Sequence, residues 1–154
     1  MRPANPAGTG RGERIRYSVA MVIRDADGRF LAIKRADDDE SLPGVWGLPA
    51  ASLRAGETDT DAVIRAGREK LGVEVKVLRR IGTDRIDRES YVLQLSDYEV
   101  SVASGEPAVP QPDRTVSQYV ALRYTADLDL LVRAARRGSL CSRIFLDSEG
   151  HGWR

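Results

Sequence analysis

The sequence predicts a mixed α/β (α+β) domain in which strands outnumber helices, and three observations lead there. Short runs rich in Val, Ile, Leu and Tyr, such as YSVAMVIR (17–24) and RFLAIKR (29–35), are bounded by turn residues, as strands are. Two segments, GETDTDAVIRAGREKLG (56–72) and TADLDLLVRAARRG (125–138), carry helical periodicity between a capping residue and a terminal glycine. The 154 residues, 42% hydrophobic and 31% charged, make one domain with a real core and argue against wholesale disorder.

In chain order, residues 1–13 are Gly- and Pro-rich and read as a flexible tail ahead of a single domain over 14–147. YSVAMVIR is a buried strand, DADG a hairpin turn and RFLAIKR the returning strand. The acidic loop ADDDES (36–41) leads into LPGVWGLPAASL (42–53), a short strand among tight turns. After the first helix, VEVKVLRRIG (73–82) is a strand, and SYVLQLSDYEVSVA (90–103) is extended with a turn near Ser96-Asp97. Three prolines within 107–112 make EPAVPQPD a loop. VSQYVALRY (116–124) is a further strand, and Thr125 is placed to cap the second helix. Residues 148–154 are a C-terminal tail, and no internal repeat or second domain is visible.

Composition excludes several functions. The net charge is +1, with 24 basic and 23 acidic side chains, so there is no electrostatic footprint for nucleic acid or an anionic membrane. No apolar run approaches the roughly 18 residues of a membrane span. The N-terminus lacks the apolar core of a signal peptide, and a single cysteine, Cys141, suits a reducing cytoplasm, so the expected location is cytoplasmic.

The first helix poses the central question. Thr58 or Asp59 can cap it, and Gly72 ends it. At about 100° per residue, Ala62, Val63, Ala66, Gly67 and Leu71 form an apolar arc. Lys70 projects at about 40°, inside that arc, with Glu69 on its edge. On the helix alone two readings stand. Lys70 lays its stem on the core and sends its ammonium to water, or the face lines a cleft where a partly desolvated lysine binds an anion or acts with a lowered pKa.

The spacing of these residues resembles the signature of the Nudix hydrolases. Glu57 matches its first glutamate, Arg65 its arginine, Glu69 one of its paired glutamates, and Gly72-Val73 its closing pair. VWGLPAASL resembles the family's Trp-x-x-Pro-Gly-Gly approach, with Ala50 and Ala51 replacing the glycines. FLAIKRA and YVALRYTADLDLL resemble its second strand, last strand and closing helix. The resemblance implies a Nudix-type α/β/α sandwich with a mixed sheet, a small anionic substrate such as a diphosphate-linked metabolite, and, as is common in the family, a homodimer. It also implies Mg²⁺ or Mn²⁺ on glutamates at the positions of Ala66, Glu69 and Lys70. Here only Glu69 remains of that set; a methyl group and an ammonium stand at the other two positions, and Gly67 replaces an aliphatic residue, leaving room against the core. Glu57 and Arg65 keep the family's brace between loop and helix.

Further candidates are Lys34 and Arg35, at a strand end where the family often holds phosphates, and Trp46, which either stacks on a ring or packs. Arg85 and Arg88, with Arg79 and Arg80, form a basic cluster that either binds an anion or is a solvated face. Gln118 and the carboxylates of 36–40 are weaker candidates as metal ligands. Cys141 reads as a buried inert thiol, and His151, the only histidine, gives no nucleophilic dyad. The leading reading is a hydrolase-like protein with an altered metal site, with Glu69 as remaining ligand or base and Lys70 as built-in cation. Its rivals are an inactive binding or regulatory module and a metal-independent enzyme that uses Lys70.

Overall fold

A computed structural model describes residues 14–37, 42–109 and 119–154. Seven strands run as β1 (Ile15–Ile23), β2 (Phe30–Arg35), β3 (Trp46–Gly47), β4 (Ala50–Ser52), β5 (Glu74–Asp87), β6 (Val92–Ser104) and β7 (Tyr119–Thr125). The helices are α1 (Asp59–Ala66), α2 (Val132–Arg136) and α3 (Leu140–Ser148). One sheet has the order β4-β1-β6-β5 and the other β3-β2-β7. Among the described residues only β1 and β6 pair in parallel, so the larger sheet is mixed.

The run YSVAMVI is apolar at successive positions because β1 is covered on both faces. Val19, Met21 and Ile23 join a core with Ala62, Val63 and Ala66 of α1. Ala20 and Val22 join a second core with Leu140, Phe145 and Leu146 of α3. This is the expected sandwich, with α1 on one side and α3 on the other.

Several local expectations are corrected. Thr58, not Asp59, caps α1, in a capping box closed by Asp61. The helix does not run as α-helix to Gly72: over Gly67–Leu71 it widens into a π turn, closed by Gly72 at φ 70° and by Val73 N–H donating to the Gly67 carbonyl. Gly67 leaves no empty space. A Cβ there would lie 3.2 Å from Val75 Cγ1 and 3.3 Å from the Val73 carbonyl oxygen. β5 extends to Asp87, and β6 passes through Ser96-Asp97 without a turn. Local Ser-Asp turn chemistry yields there to ladders on both sides. Thr125 does not cap a long helix. Asp127 caps a 3₁₀ turn, Leu128–Leu131, which leads into the short α2. GSLCSRIFL forms α3, capped by Ser139, and Gly82 leaves room for it, since a Cβ there would stand 3.0 Å from Ile144. The C-terminal residues are fastened: Trp153 donates to Asp147 at 2.9 Å, Arg136 donates to the Trp153 carbonyl, and His151 meets Asp129 at 2.7 Å.

Candidate active site

The site lies where the β4–α1 loop, the π turn and the β2–β7 edge meet. Its frame is the Glu57–Arg65 brace. Arg65 Nε donates to Glu57 at 2.7 Å, and its terminal nitrogens reach Glu57 at 2.9 Å and the Ser52 carbonyl at 2.7 Å. The Arg54 backbone N–H also donates to Glu57, at 2.7 Å. The Arg65 hydrogen bonds, reinforced by that N–H, hold the Glu57 carboxyl down to about 2. Because its folded pKa is depressed, Glu57 stabilises the fold above the ordinary value near 4.5, and this is lost as pH falls toward about 2. Glu57→Gln is therefore expected to flatten that part of the acid limb in thermal melts. Arg65→Ala, which frees both Glu57 and the Ser52 carbonyl, is expected to lower Tm by on the order of 5 °C.

Glu69 is not an open ligand. Arg54 donates to its two oxygens at 3.2 and 3.3 Å, and Arg65 to one of them at 3.4 Å. The wider π turn sends residues 69 and 70 along directions that differ from those of a 100° step. Lys70 is half-buried, and its Nζ donates to the Ala50 carbonyl at 2.5 Å. The Ala50 N–H in turn donates to Tyr119 Oη at 3.0 Å, and the Tyr119 ring lies 5.6 Å from the ammonium. Burial, then the charges of Arg35 and Arg65, bring Lys70 down to about 8 against the opposing pull of Glu69. Of the two sequence readings, the ammonium thus turns inward, onto the backbone of β4.

This donor set does not fit the family's divalent ion. A hard cation needs several oxygens converging on one point. Position 66 offers a methyl group, Glu69 is engaged by two guanidiniums, and Lys70 places a positive charge on the neighbouring carbonyl. Among the described residues, no three His, Cys, Asp or Glu side chains form a group that could hold a metal.

The structure brings Glu57, Arg65, Glu69, Lys70 and Arg35 to one region; Arg35 faces Tyr119 in the β2–β7 register. It does not bring the basic cluster there. Arg79 pairs with Glu99 at 2.8 Å, Arg85 donates to Gln94 at 2.7 Å, and Arg88 donates to the Gly138 carbonyl at 2.9 Å. Trp46 packs on the α3-side core with Arg123 5.0 Å above its ring, and Lys34 pairs with it across β2 and β3. Cys141 is buried in α3, and burial first, then Asp97, pushes its thiol up. Gln118 and residues 38–40 lie outside the described residues. Three groups escaped the sequence reading. Arg54 and Tyr119 carry no periodic signal. Asp97, 0% exposed and with neither carboxyl oxygen hydrogen-bonded, continues the face of Leu93 and Leu95 once β6 is read as one strand.

Comparison with known proteins bears on the family and the fold. The sequence profile described as NUDIX domain matches residues 14–136. The chain belongs to this family. A 66-residue segment is 38% identical to the low-salt glycan biosynthesis protein Agl8 of Haloferax volcanii, covering 43% of this chain and 40% of that one. A 68-residue segment is 38% identical to the nucleoside triphosphatase NudI of Escherichia fergusonii, covering 44% and 47%. The matches thus span less than half the length of these relatives. Among solved structures, the MutT NUDIX hydrolase from Burkholderia pseudomallei superposes with TM-score 0.63 at 30% identity, over 76% of this chain and 86% of that one. The E. coli ORF135 protein superposes with TM-score 0.70 at 18% identity, over 93% and 96%, and shows the shared fold. No helix of this Nudix domain, among the described residues, is long and apolar enough to cross a membrane.

Proposed function

We propose that this Nudix domain binds and hydrolyses a small phosphorylated metabolite, a nucleoside diphosphate-linked or other diphosphate, using fixed side-chain cations where its relatives use divalent ions. The observation that carries this reading is the Lys70 ammonium, seated on the Ala50 carbonyl beside a glutamate already claimed by Arg54 and Arg65. The name of the relative NudI, a nucleoside triphosphatase, supports the phosphorylated class. A desolvated ammonium close to Arg35 favours an anion strongly, and a preorganised cation stabilises charge developing on a leaving phosphate. One point charge does this less well than several dications, so slow turnover is expected. In this reading Glu69 is a positioning residue that orients the two guanidiniums.

The test is phosphate and pyrophosphate release from a panel of nucleoside diphosphate derivatives and isoprenoid diphosphates, with Mg²⁺, with Mn²⁺ and with EDTA. Release that persists in EDTA and is lost in Lys70→Met is the expected result. Release that requires metal would overturn the fixed-cation reading, and ligand binding without release would leave a binding module.

The lowered pKa of Lys70 favours one second reading, in which the neutral amine acts as a base on the substrate. pH separates the two. If the ammonium binds phosphate, affinity falls as pH rises through about 8 in the free protein and the Lys70→Arg variant shows no such fall. If the amine is the base, turnover instead rises through that range and Lys70→Arg is inactive.

A further inference from the structure

The fork of Arg54 on Glu69 is loose. Its two contacts span 3.2 and 3.3 Å, whereas Arg65 meets Glu57 at 2.7 Å and Arg68 meets Glu74 at 2.6 Å. Charge-assisted bonds of full strength run at about 2.7–2.9 Å. The second donor to Glu69, Arg65, stands farther off at 3.4 Å, and its firm bonds go to Glu57 and the Ser52 carbonyl. Glu69 therefore lies between two guanidiniums and is tightly bound by neither.

Arg54 is built to let go. Its backbone is fixed: its N–H donates to the Glu57 carboxylate at 2.7 Å, and its carbonyl accepts from the Glu57 N–H at 3.0 Å. Its side chain is 58% exposed and borders an open groove, and among the described residues its guanidinium hydrogen-bonds only Glu69. The fork can thus swing about an anchored Cα without disturbing the Glu57–Arg65 brace. An exposed pair of this kind shifts an equilibrium by about fivefold at most. A guanidinium that takes a carboxylate by two parallel bonds takes a phosphate in the same way, and a phosphate brings more charge. Glu69 is also close enough to Lys70 to act on its ammonium. The carboxylate thus stands in the field of three cations, where an incoming anion is drawn too.

We propose that Glu69 is a resident anion that competes with the ligand: in the free chain it holds Arg54, and binding hands the Arg54 guanidinium over from the Glu69 carboxylate to a ligand phosphate at Lys70. Arg54 is then a binding residue kept in reserve, and Glu69 orients it until the ligand arrives. The sign is the reverse of that expected of a metal ligand or a base, since removing the Glu69 charge strengthens binding. This rests on the anionic-cleft reading above.

The test is calorimetric titration of pyrophosphate, in EDTA, into the parent chain, Glu69→Gln, Arg54→Met and the double variant, each checked by a thermal melt. Glu69→Gln is expected to tighten binding about threefold to fivefold, and the same change made on top of Arg54→Met to tighten it less than about 1.5-fold. Glu69→Ala is expected to match Glu69→Gln, which separates loss of the charge from the packing of the amide. Two results overturn the hand-over while leaving the cleft in place. One is binding by Glu69→Gln and Glu69→Ala no tighter than by the parent. The other is a gain equally large with Arg54→Met, which would mean that Glu69 acts through space alone. The cleft itself is judged by Lys70. Pyrophosphate binding, in the parent or in Glu69→Gln, that is lost on adding Lys70→Met upholds it. Absence of binding to both removes the cleft, and this proposal falls with it.

Discussion

Replacing Ala66 and Lys70 together by glutamate is expected to give this protein a divalent-metal site, read as tight Mn²⁺ binding by electron paramagnetic resonance that the parent chain does not show. In the parent, a dication approaching the box meets the Lys70 ammonium on the Ala50 carbonyl and the guanidiniums of Arg54 and Arg65 around Glu69. The double substitution reverses the charge at position 70, releases that carbonyl and adds a carboxylate at position 66. Three carboxylates then stand within one turn of Glu69.

Magnitudes decide whether Glu69 joins them. Arg54 is 58% exposed and its pair with Glu69 spans 3.2 Å, so it belongs to the surface class of about 0–1 kcal/mol. Coordination of a dication outweighs that, and Arg54 swings away. Arg65 stays, because its main partners are Glu57 and the Ser52 carbonyl. Ala66 is 0% exposed, so Glu at that position strains the packing unless it turns to the cleft. A thermal melt therefore accompanies each titration. Equal Mn²⁺ affinity in parent and double variant would sink the idea that fixed cations have replaced the metal. A folded double variant that binds no Mn²⁺ would show that the cleft has lost more than its ligands.

Much of this was legible in the sequence because the signals were periodic or covalent in origin. The continuous apolar run of β1 announced a strand covered on both faces, and Thr58, Asp61 and Gly72 bounded the α1 segment. The Glu57–Arg65 brace followed from the resemblance to the Nudix signature, which implies that pair. What failed was decided by neighbours distant in the chain. The π turn starts at Gly67, where Val73 and Val75 close against the backbone, and no helical wheel contains that contact. Arg79, Arg85 and Arg88 look like part of a cluster along the chain, but β6 takes up the first two and the α2–α3 junction the third. The Ser96-Asp97 pair reads as a turn until β1 and β5 pair on either side of it.

That pairing sets up the second large effect, at Asp97. Across the sheet its row reads Gly82, Asp97, Ala20 and Ala50, so no side chain beside it supplies a donor. From α3, the group that faces it is the Cys141 thiol, whose own pKa it helps to raise. Burial without a partner pushes the Asp97 carboxyl well above the usual carboxylate range. A group whose folded pKa is raised gives its full stability below the unfolded value, about 3.9, and loses it as pH climbs to the folded pKa. Asp97→Asn removes the ionisation while keeping the shape. The variant and the parent are expected to be about equally stable at pH 4. Above that, the variant gains about 1.4 kcal/mol per pH unit until the folded pKa is passed, after which the gain is constant. The changes at Glu57 and Lys70 are common to both proteins and cancel in the difference. Thermal melts from pH 4 to pH 7.5 measure it directly, and a stability difference that does not vary with pH would mean that Asp97 finds a partner in solution. A carboxyl is thus kept at some expense in the core, in the same row as Ala50, whose carbonyl holds Lys70.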